Sequence, residues 1–351
     1  MTHRKALRVT SGHYHTGHLV SFTAALENGY FAAEGLREDD LDLIYPGGLV
    51  PSIVERVALR LAMKEKAIDI VTDCKVETVL YQNSIGADLY IIGGWRNSLS
   101  RDAIFGSKGM KSLGQLVGRR LGIRDLAGKG HTYSRFALRR VGIDPEEGVE
   151  WVRGIHANTE ALEALKSGRV DAVHAVDRGR ELLEREGYPM LADSVAEYPY
   201  GLPARLIVAT GRVLEGHPDL VKAFLRGAIR GYWFYRDSAN FEYIKDLVVR
   251  MRELAWDDEE RDLERHMKFF SPDHLEGSPF PMDGSVARKG LETYLDEMKE
   301  EGVISSGYTL DRALKLDLVE EAFTELSGRL ELRDQLEEAK ARARRTVGCQ
   351  P

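Results

Sequence analysis

The 351 residues predict an α/β protein of two lobes, with mostly parallel sheets covered by helices. Three observations lead there. The chain is too long for one ordinary core. Short apolar strands alternate with amphipathic helices along most of its length. Polar, glycine-containing loops follow the strands, where open α/β sheets place their ligands.

The first strand is read at Ala6 to Thr10, and it opens into the loop Gly12 to Gly17. A helix carries Leu19, Phe22, Ala25 and Leu26 on one face and stops at Gly29, where a C-terminal cap belongs. Leu41 to Tyr45 is a second strand, closed by Pro46-Gly47-Gly48 and followed by a helix through Val50, Ile53, Val54, Val57 and Leu61. Ala67 to Val71 and Leu89 to Ile92 are the third and fourth strands. A second series follows, with strands at Arg120 to Ile123, Val149 to Val152 and Val170 to Val176, and a helix at Thr159 to Lys166. Leu206 to Ala209 is a last strand, and long helices run on to about Leu326. Gly231 to Tyr235 is an aromatic stretch expected in a core. The segment 327–351 is assigned to a charged, solvated helical tail.

Composition excludes several classes. With 30% charged residues and a net charge of -7, no clustered basic face marks a nucleic-acid binder. No apolar run is long enough to span a membrane. Cys74 and Cys349 do not make a disulfide framework. The residues after Met1 hold no apolar core of a secretory signal. The chain as given is therefore expected in the cytoplasm, or in the periplasm if a leader is missing from this sequence.

Four segments carry a family pattern. They are Ala24 to Leu36, with Gly29-Tyr30-Phe31 and Glu34-Gly35-Leu36; Lys111 to Gly122; Ala161 to Ala172, with Gly168-Arg169-Val170-Asp171-Ala172; and His217 to Phe224. In this order the chain resembles the type II periplasmic-binding-protein family of sulfonate- and taurine-binding and thiamine-pyrimidine-synthase-like proteins. Gly114 and Gln115 depart from the family's usual residues. The resemblance implies a two-lobed fold with an interlobe cleft, lobe I from 1–100 and 205–326 and lobe II from 101–204, and crossovers near Trp95 to Ser100 and Pro199 to Arg205. It also implies hinge closure on a ligand and an ABC permease as partner.

Five strand-end loops supply the candidate site: Gly12 to Gly17, Pro46 to Leu49, Thr72 to Cys74, Arg124 to His131, and Val176 to Gly179. With the crossovers they contribute His13, Tyr14, His15, Gly47, Gly48, Asp73, Cys74, Trp95, Arg124, Lys129, His131, Asp177 and Tyr200. Arginine with aromatics suits an anionic or planar ligand, and helix N-termini suit an anion. His13 and His15 share a face if extended, as hydrogen-bonding wall groups, an acid/base pair or metal ligands. No HExxH or cysteine-rich spacing supports a metal, and no cofactor is expected. Cys74 is either a nucleophile or a buried apolar residue. The sulfinate desulfinase of aromatic desulfurisation resembles this architecture and carries a cysteine in its first loop; Gly12 to His15 has none. The iron-binding cysteine run of the pyrimidine synthases is absent too. The favoured function is a solute-binding protein of an ABC-type importer for a small anionic or aromatic ligand. The alternative is a cytoplasmic enzyme on the same fold acting on a small aromatic or heterocyclic acid.

Overall fold

The computed structural model describes residues 6–12, 16–43, 68–98, 102–126, 129–157, 159–198, 202–251 and 281–338. The chain divides into two compact units. One comprises Met1–Asn97 with Leu202–Pro351, and the other is Ser98–Gly201.

In chain order the first unit begins with β1 (Leu7–Ser11), α1 (Thr16–Glu27), α2 (Tyr30–Ala33), β2 (Leu41–Leu43), β3 (Ile70–Cys74), α3 (Val76–Ser84) and β4 (Leu89–Ser98). The second unit holds β5 (Ala103–Gly106), β6 (Arg119–Gly122), α4 (Lys129–Arg140), β7 (Val149–Val152), α5 (Thr159–Lys166), β8 (Ala172–Ala175), α6 (Asp177–Arg185), β9 (Met190–Asp193) and α7 (Ser194–Glu197). The chain then returns to the first unit as β10 (Leu202–Thr210), α8 (Gly211–Gly216), α9 (Pro218–Arg236), α10 (Phe241–Met251), α11 (Arg288–Glu300) and α12 (Asp317–Ser327).

Each unit is built on one five-stranded sheet, in the orders β2-β1-β3-β10-β4 and β7-β6-β8-β5-β9. Both sheets are mixed. β1 runs parallel to β2 and β3, and β6 parallel to β7 and β8. β10 is antiparallel to β3, and β5 is antiparallel to both β8 and β9. The parallel part follows from strand–helix–strand crossovers, whereas β5 and β10 are the strands on which the chain enters one unit and re-enters the other. β5 and β9 show no apolar/polar alternation in their four residues, AIFG and MLAD, and so give no period-2 signal.

α1 ends where the Asn28 side chain donates to the Ala24 carbonyl and Gly29 turns left-handed at φ 67°. The first unit's core gathers on α9. That helix has Pro218 in its first turn and buries Val221, Phe224, Leu225, Ala228, Ile229, Tyr232, Trp233 and Tyr235. Phe31 stacks on Phe224 with ring centroids 5.4 Å apart. The aromatic stretch Gly231 to Tyr235 is thus core, apart from half-buried Phe234.

The second unit's core is smaller and centres on Phe105, Ile155, Leu162, Leu165, Val173 and Leu183. At its start Gln115 explains its own departure from the family pattern. Its side chain accepts from the amides of Lys111 and Ser112, at 2.6 and 3.3 Å, and completes a capping box with Ser112.

Three readings of the sequence change. The third strand runs Ile70–Cys74 rather than from Ala67 to Val71, so Asp73 and Cys74 are strand residues and not a loop. β4 extends through Trp95, which is wholly buried in the core, so the first crossover falls later in the expected range, between Asn97 and Ser98. The segment after Arg329 is not purely solvated, because Leu332 and Leu336 are buried against the first unit's core. The helix read around Val50 to Leu61, and the 339–351 part of the tail, lie outside the described residues.

Candidate functional site

The first unit's candidate site lies at the carboxyl ends of β1 and β3. Their parallel register, Val9 with Ile70 and Ser11 with Thr72, brings both ends to one edge of the sheet. The Gly12 amide donates to the Thr72 carbonyl at 2.7 Å, so the first loop starts beside Asp73.

Asp73 itself sits in a β-bulge. Leu206 pairs with Cys74 and Val208 with Val71, so Thr72 and Asp73 together oppose Ile207 alone. A bulge bends the strand and re-aims a side chain. Asp73 has φ 56°, and it is the one non-glycine with positive φ among the described residues. Aspartate tolerates this region better than most residues, at a cost of about 1–2 kcal/mol. The Asp73 side chain is fully buried, with Arg205 Nε 3.8 Å from its Oδ1. Arg205 is the charged residue of the otherwise apolar β10, and its side chain is 15% exposed.

Around this pair the wall is aromatic. Tyr232 donates to the Gly94 carbonyl at 3.2 Å and meets Trp95 edge-on at 6.0 Å. Burial, and then the negative charge of Asp73, push the Tyr232 hydroxyl well above its ordinary pKa, so it stays a donor. Cys74 is completely buried. A thiol so placed fits the packing reading better than the nucleophile reading. The chemistry of this edge is that of a recessed cation beside a buried carboxylate, with the aromatic core behind them.

The second unit's candidate site lies at the carboxyl ends of β6, β7 and β8. Backbone bonds tie their loops together: Gly154 N–H to the Arg124 carbonyl at 2.9 Å, Ile155 N–H to Ile123 at 3.1 Å, and Val176 N–H to Ala157 at 3.3 Å. Arg124 projects from this edge with its side chain 70% exposed and Asp125 3.7 Å away. Lys129 and Asp177 are the first residues of α4 and α6. Unpaired amides of a helix's first turn favour an anion there. His131 meets the Trp151 ring edge-on at 4.6 Å.

The sequence reading missed a buried dyad beneath this edge. His174 Nε2 lies 2.9 Å from Asp102 Oδ1, with the two side chains 7% and 3% exposed. A Cβ at Gly130 would overlap the His174 imidazole, so the first turn of α4 sits directly on the ring. Further along α4, buried Tyr133 donates to Glu197 at 3.0 Å, and Arg140 pairs with the same carboxylate at 3.1 Å. Burial raises both groups' pKa, the Glu197 charge adding to the rise at Tyr133.

The structure thus gathers Asp73, Cys74 and Trp95 in one unit, and Arg124, Lys129, His131 and Asp177 in the other. His13, Tyr14, His15, Gly47, Gly48 and Tyr200 lie outside the described residues. Arg205 had a visible signal, a lone charge in an apolar strand. Asp102 and His174 had none, being 72 residues apart.

The paired units, each a mixed sheet with a ligand-type edge, define the two-lobed periplasmic-binding-protein fold. The chain belongs to the NMT1/THI5-like family, whose sequence model matches residues 14–239. Solved structures of similar fold include the sulfonate-binding protein SsuA of Methylobacillus flagellatus KT, at 16% identity and TM-score 0.63 over 92% of this chain and 95% of that one. The periplasmic aliphatic sulphonate binding protein SsuA of Escherichia coli is similar at 15% identity and TM-score 0.58, over 89% and 92%. So is the desulfurization enzyme DSZB, at 16% and 0.54, over 92% and 99%. No curated protein sequence matches this chain significantly. Among the described residues no helix is long and apolar enough to cross a membrane.

Proposed function

We propose that this chain is a solute-binding protein of an ABC-type importer, and that it takes a small anionic or aromatic ligand at its strand-end loops. One observation carries the reading: the fold likeness to a sulfonate-binding protein extends along 92% of the chain. The site chemistry supports it. Arg124 and the amides opening α4 and α6 suit an anion in one unit, and recessed Arg205 suits one in the other. The partner is an ABC permease, and the working compartment is the periplasm.

The test is calorimetric titration with alkanesulfonates and aromatic carboxylates and sulfonates, followed by recovery of the ligand. Saturable binding with the ligand recovered unchanged supports the reading. Chemical conversion of the ligand supports instead an enzyme acting on a small aromatic or heterocyclic acid. The DSZB likeness favours that second reading. Cys74, wholly buried, weighs against its use as an exposed nucleophile.

A further inference from the structure

The second unit ends on a short stretch of secondary structure. β9 has four residues and lies at the edge of its sheet, next to β5. α7 is a single turn, too short to hold itself. After it the chain leaves the second unit, and β10 of the first unit begins at Leu202. The position of Asp193 to Tyr198 therefore depends on side chains packed around it.

Those side chains come from the two helices whose first turns open onto the ligand edge. Buried Arg180 stands in the first turn of α6. Its two terminal nitrogens donate to the two Asp193 oxygens at 2.8 and 3.0 Å, and its Nε donates to Glu184 at 2.8 Å. Asp193 in turn caps α7 by accepting from the Val195 amide at 3.0 Å. Buried Tyr133 lies one turn into α4 and donates to Glu197 at 3.0 Å. Arg140, in the last turn of α4, meets the same carboxylate oxygen at 3.1 Å and lies over the Tyr198 ring at 5.6 Å. The Ser194 amide donates to the Asp102 carbonyl at 2.9 Å, so the way out of the unit is also bonded to the way in. A bidentate arginine and a buried phenol are stiff links, so a shift of either helix is carried to this segment.

We propose that Asp193 to Tyr198 is a strap that couples the ligand edge to the second crossover: an anion held at the first turns of α4 and α6 also stiffens the way out of the second unit. The inference rests on the solute-binding reading and goes beyond it. Arg180 and Tyr133 are positioning residues, acting through Asp193 and Glu197 rather than on the ligand. The basis is entropic, because ordering the two helices removes motion that the strap would otherwise share. Ligand and closed strap therefore favour each other by one common factor.

Amide hydrogen exchange on the full chain tests this. Ethanesulfonate, benzenesulfonate and benzoate are titrated by calorimetry, and the tightest of them is the probe. At a fixed multiple of Kd, which keeps the general stabilisation by binding equal between proteins, the probe should slow exchange at Ser194 and Tyr198 about tenfold. Tyr133→Phe combined with Arg140→Gln cuts the links from α4. Without probe, exchange at Tyr198 should then rise about tenfold, the scale of a charge-assisted hydrogen bond. With probe at the same multiple of the variant's own Kd, the slowing at Tyr198 should shrink to below about threefold. A merely structural role would raise exchange equally with and without probe and leave the ratio intact, and that result overturns the coupling. So does a bound probe that leaves Ser194 and Tyr198 unchanged in the wild-type protein. Unchanged exchange in the ligand-free variant overturns the strap itself. If the double variant does not fold, Arg140→Gln alone, at a half-exposed position, makes the same comparison. If the wild-type protein binds none of the probes, the solute-binding reading falls and the coupling with it, while ligand-free exchange still decides whether the strap exists.

Discussion

Arg329 grips Glu34 with both terminal guanidinium nitrogens, at 2.7 and 2.8 Å, across almost the whole length of the chain. Glu34 sits just beyond α2, its side chain 1% exposed, and Arg226 and Arg230 of α9 complete the cluster at 2.7 and 3.1 Å. One buried carboxylate thus fixes α2, α9 and the segment after α12 to one another. Removing it leaves three arginines without their shared counter-charge. Glu34→Ala should lower stability by roughly 3 kcal/mol, measured by urea unfolding. A loss below about 0.5 kcal/mol would mean that the arginines find water or other acids at no cost.

The same cluster sets a pH dependence. Burial pushes the Glu34 carboxyl up, but the hydrogen bonds and charges of Arg329 and Arg226 outweigh it and hold the pKa below the ordinary 4.5. A depressed carboxylate gives stability that is complete above its unfolded value and lost as pH falls through its folded one. Thermal melts should therefore show a drop below about pH 4.5 that is shallower in Glu34→Gln.

Asp73 gives a backbone prediction. At φ 56° a β-branched residue is strained, whereas glycine is not. Asp73→Val should destabilise far more than Asp73→Gly, by a margin of about 1–2 kcal/mol or more. Both remove the charge beside Arg205, so both should weaken binding of an anionic probe if Asp73 orients that arginine. Equal melting temperatures for the two variants would argue against the bulge geometry.

Gly130→Ala should cost about 1–3 kcal/mol, because the added methyl overlaps the His174 ring in a tightly packed place. Circular dichroism melts measure this. The substitution should also weaken ligand binding, since it shifts the first turn of α4.

Arg124→Ala tests the exposed half of the second unit's edge. With its side chain 70% exposed, the arginine adds little to stability, and the melting temperature should hardly move. Affinity for an anionic probe should fall about tenfold, the scale of a charge-assisted hydrogen bond. Unchanged affinity in calorimetry would place the anion elsewhere.

The elements most legible in the sequence were those with a long periodic signal. α5 falls at Thr159–Lys166, as the apolar spacing predicts, and β7 at Val149–Val152 was legible from one brief alternation. β5 and β9 carry no such signal in four residues, and their existence depends on β8 and on each other. Asp73 hid the end of β3 because a charged residue reads as a loop, and only the bulge opposite Ile207 lets it stay in the strand. Within the candidate site, loop position was legible but pairing was not. Nothing near Asp102 announces a histidine 72 residues later. Glu34 was visible as part of a family motif, yet its three arginines lie 192, 196 and 295 residues away.

The strand order of the first sheet has a consequence for biosynthesis. β4 is hydrogen-bonded to β10, and β10 lies between β3 and β4. The ribosome makes β4, then the whole of the second unit, and only then β10. A nascent chain must hold β3 and β4 with open edges until that strand arrives, while the second unit already has all five of its strands in one continuous span. The inserted half can therefore complete its hydrogen-bonded sheet on the ribosome first. The half that contains both termini waits, and its unpaired strands are where a holdase chaperone would engage during synthesis.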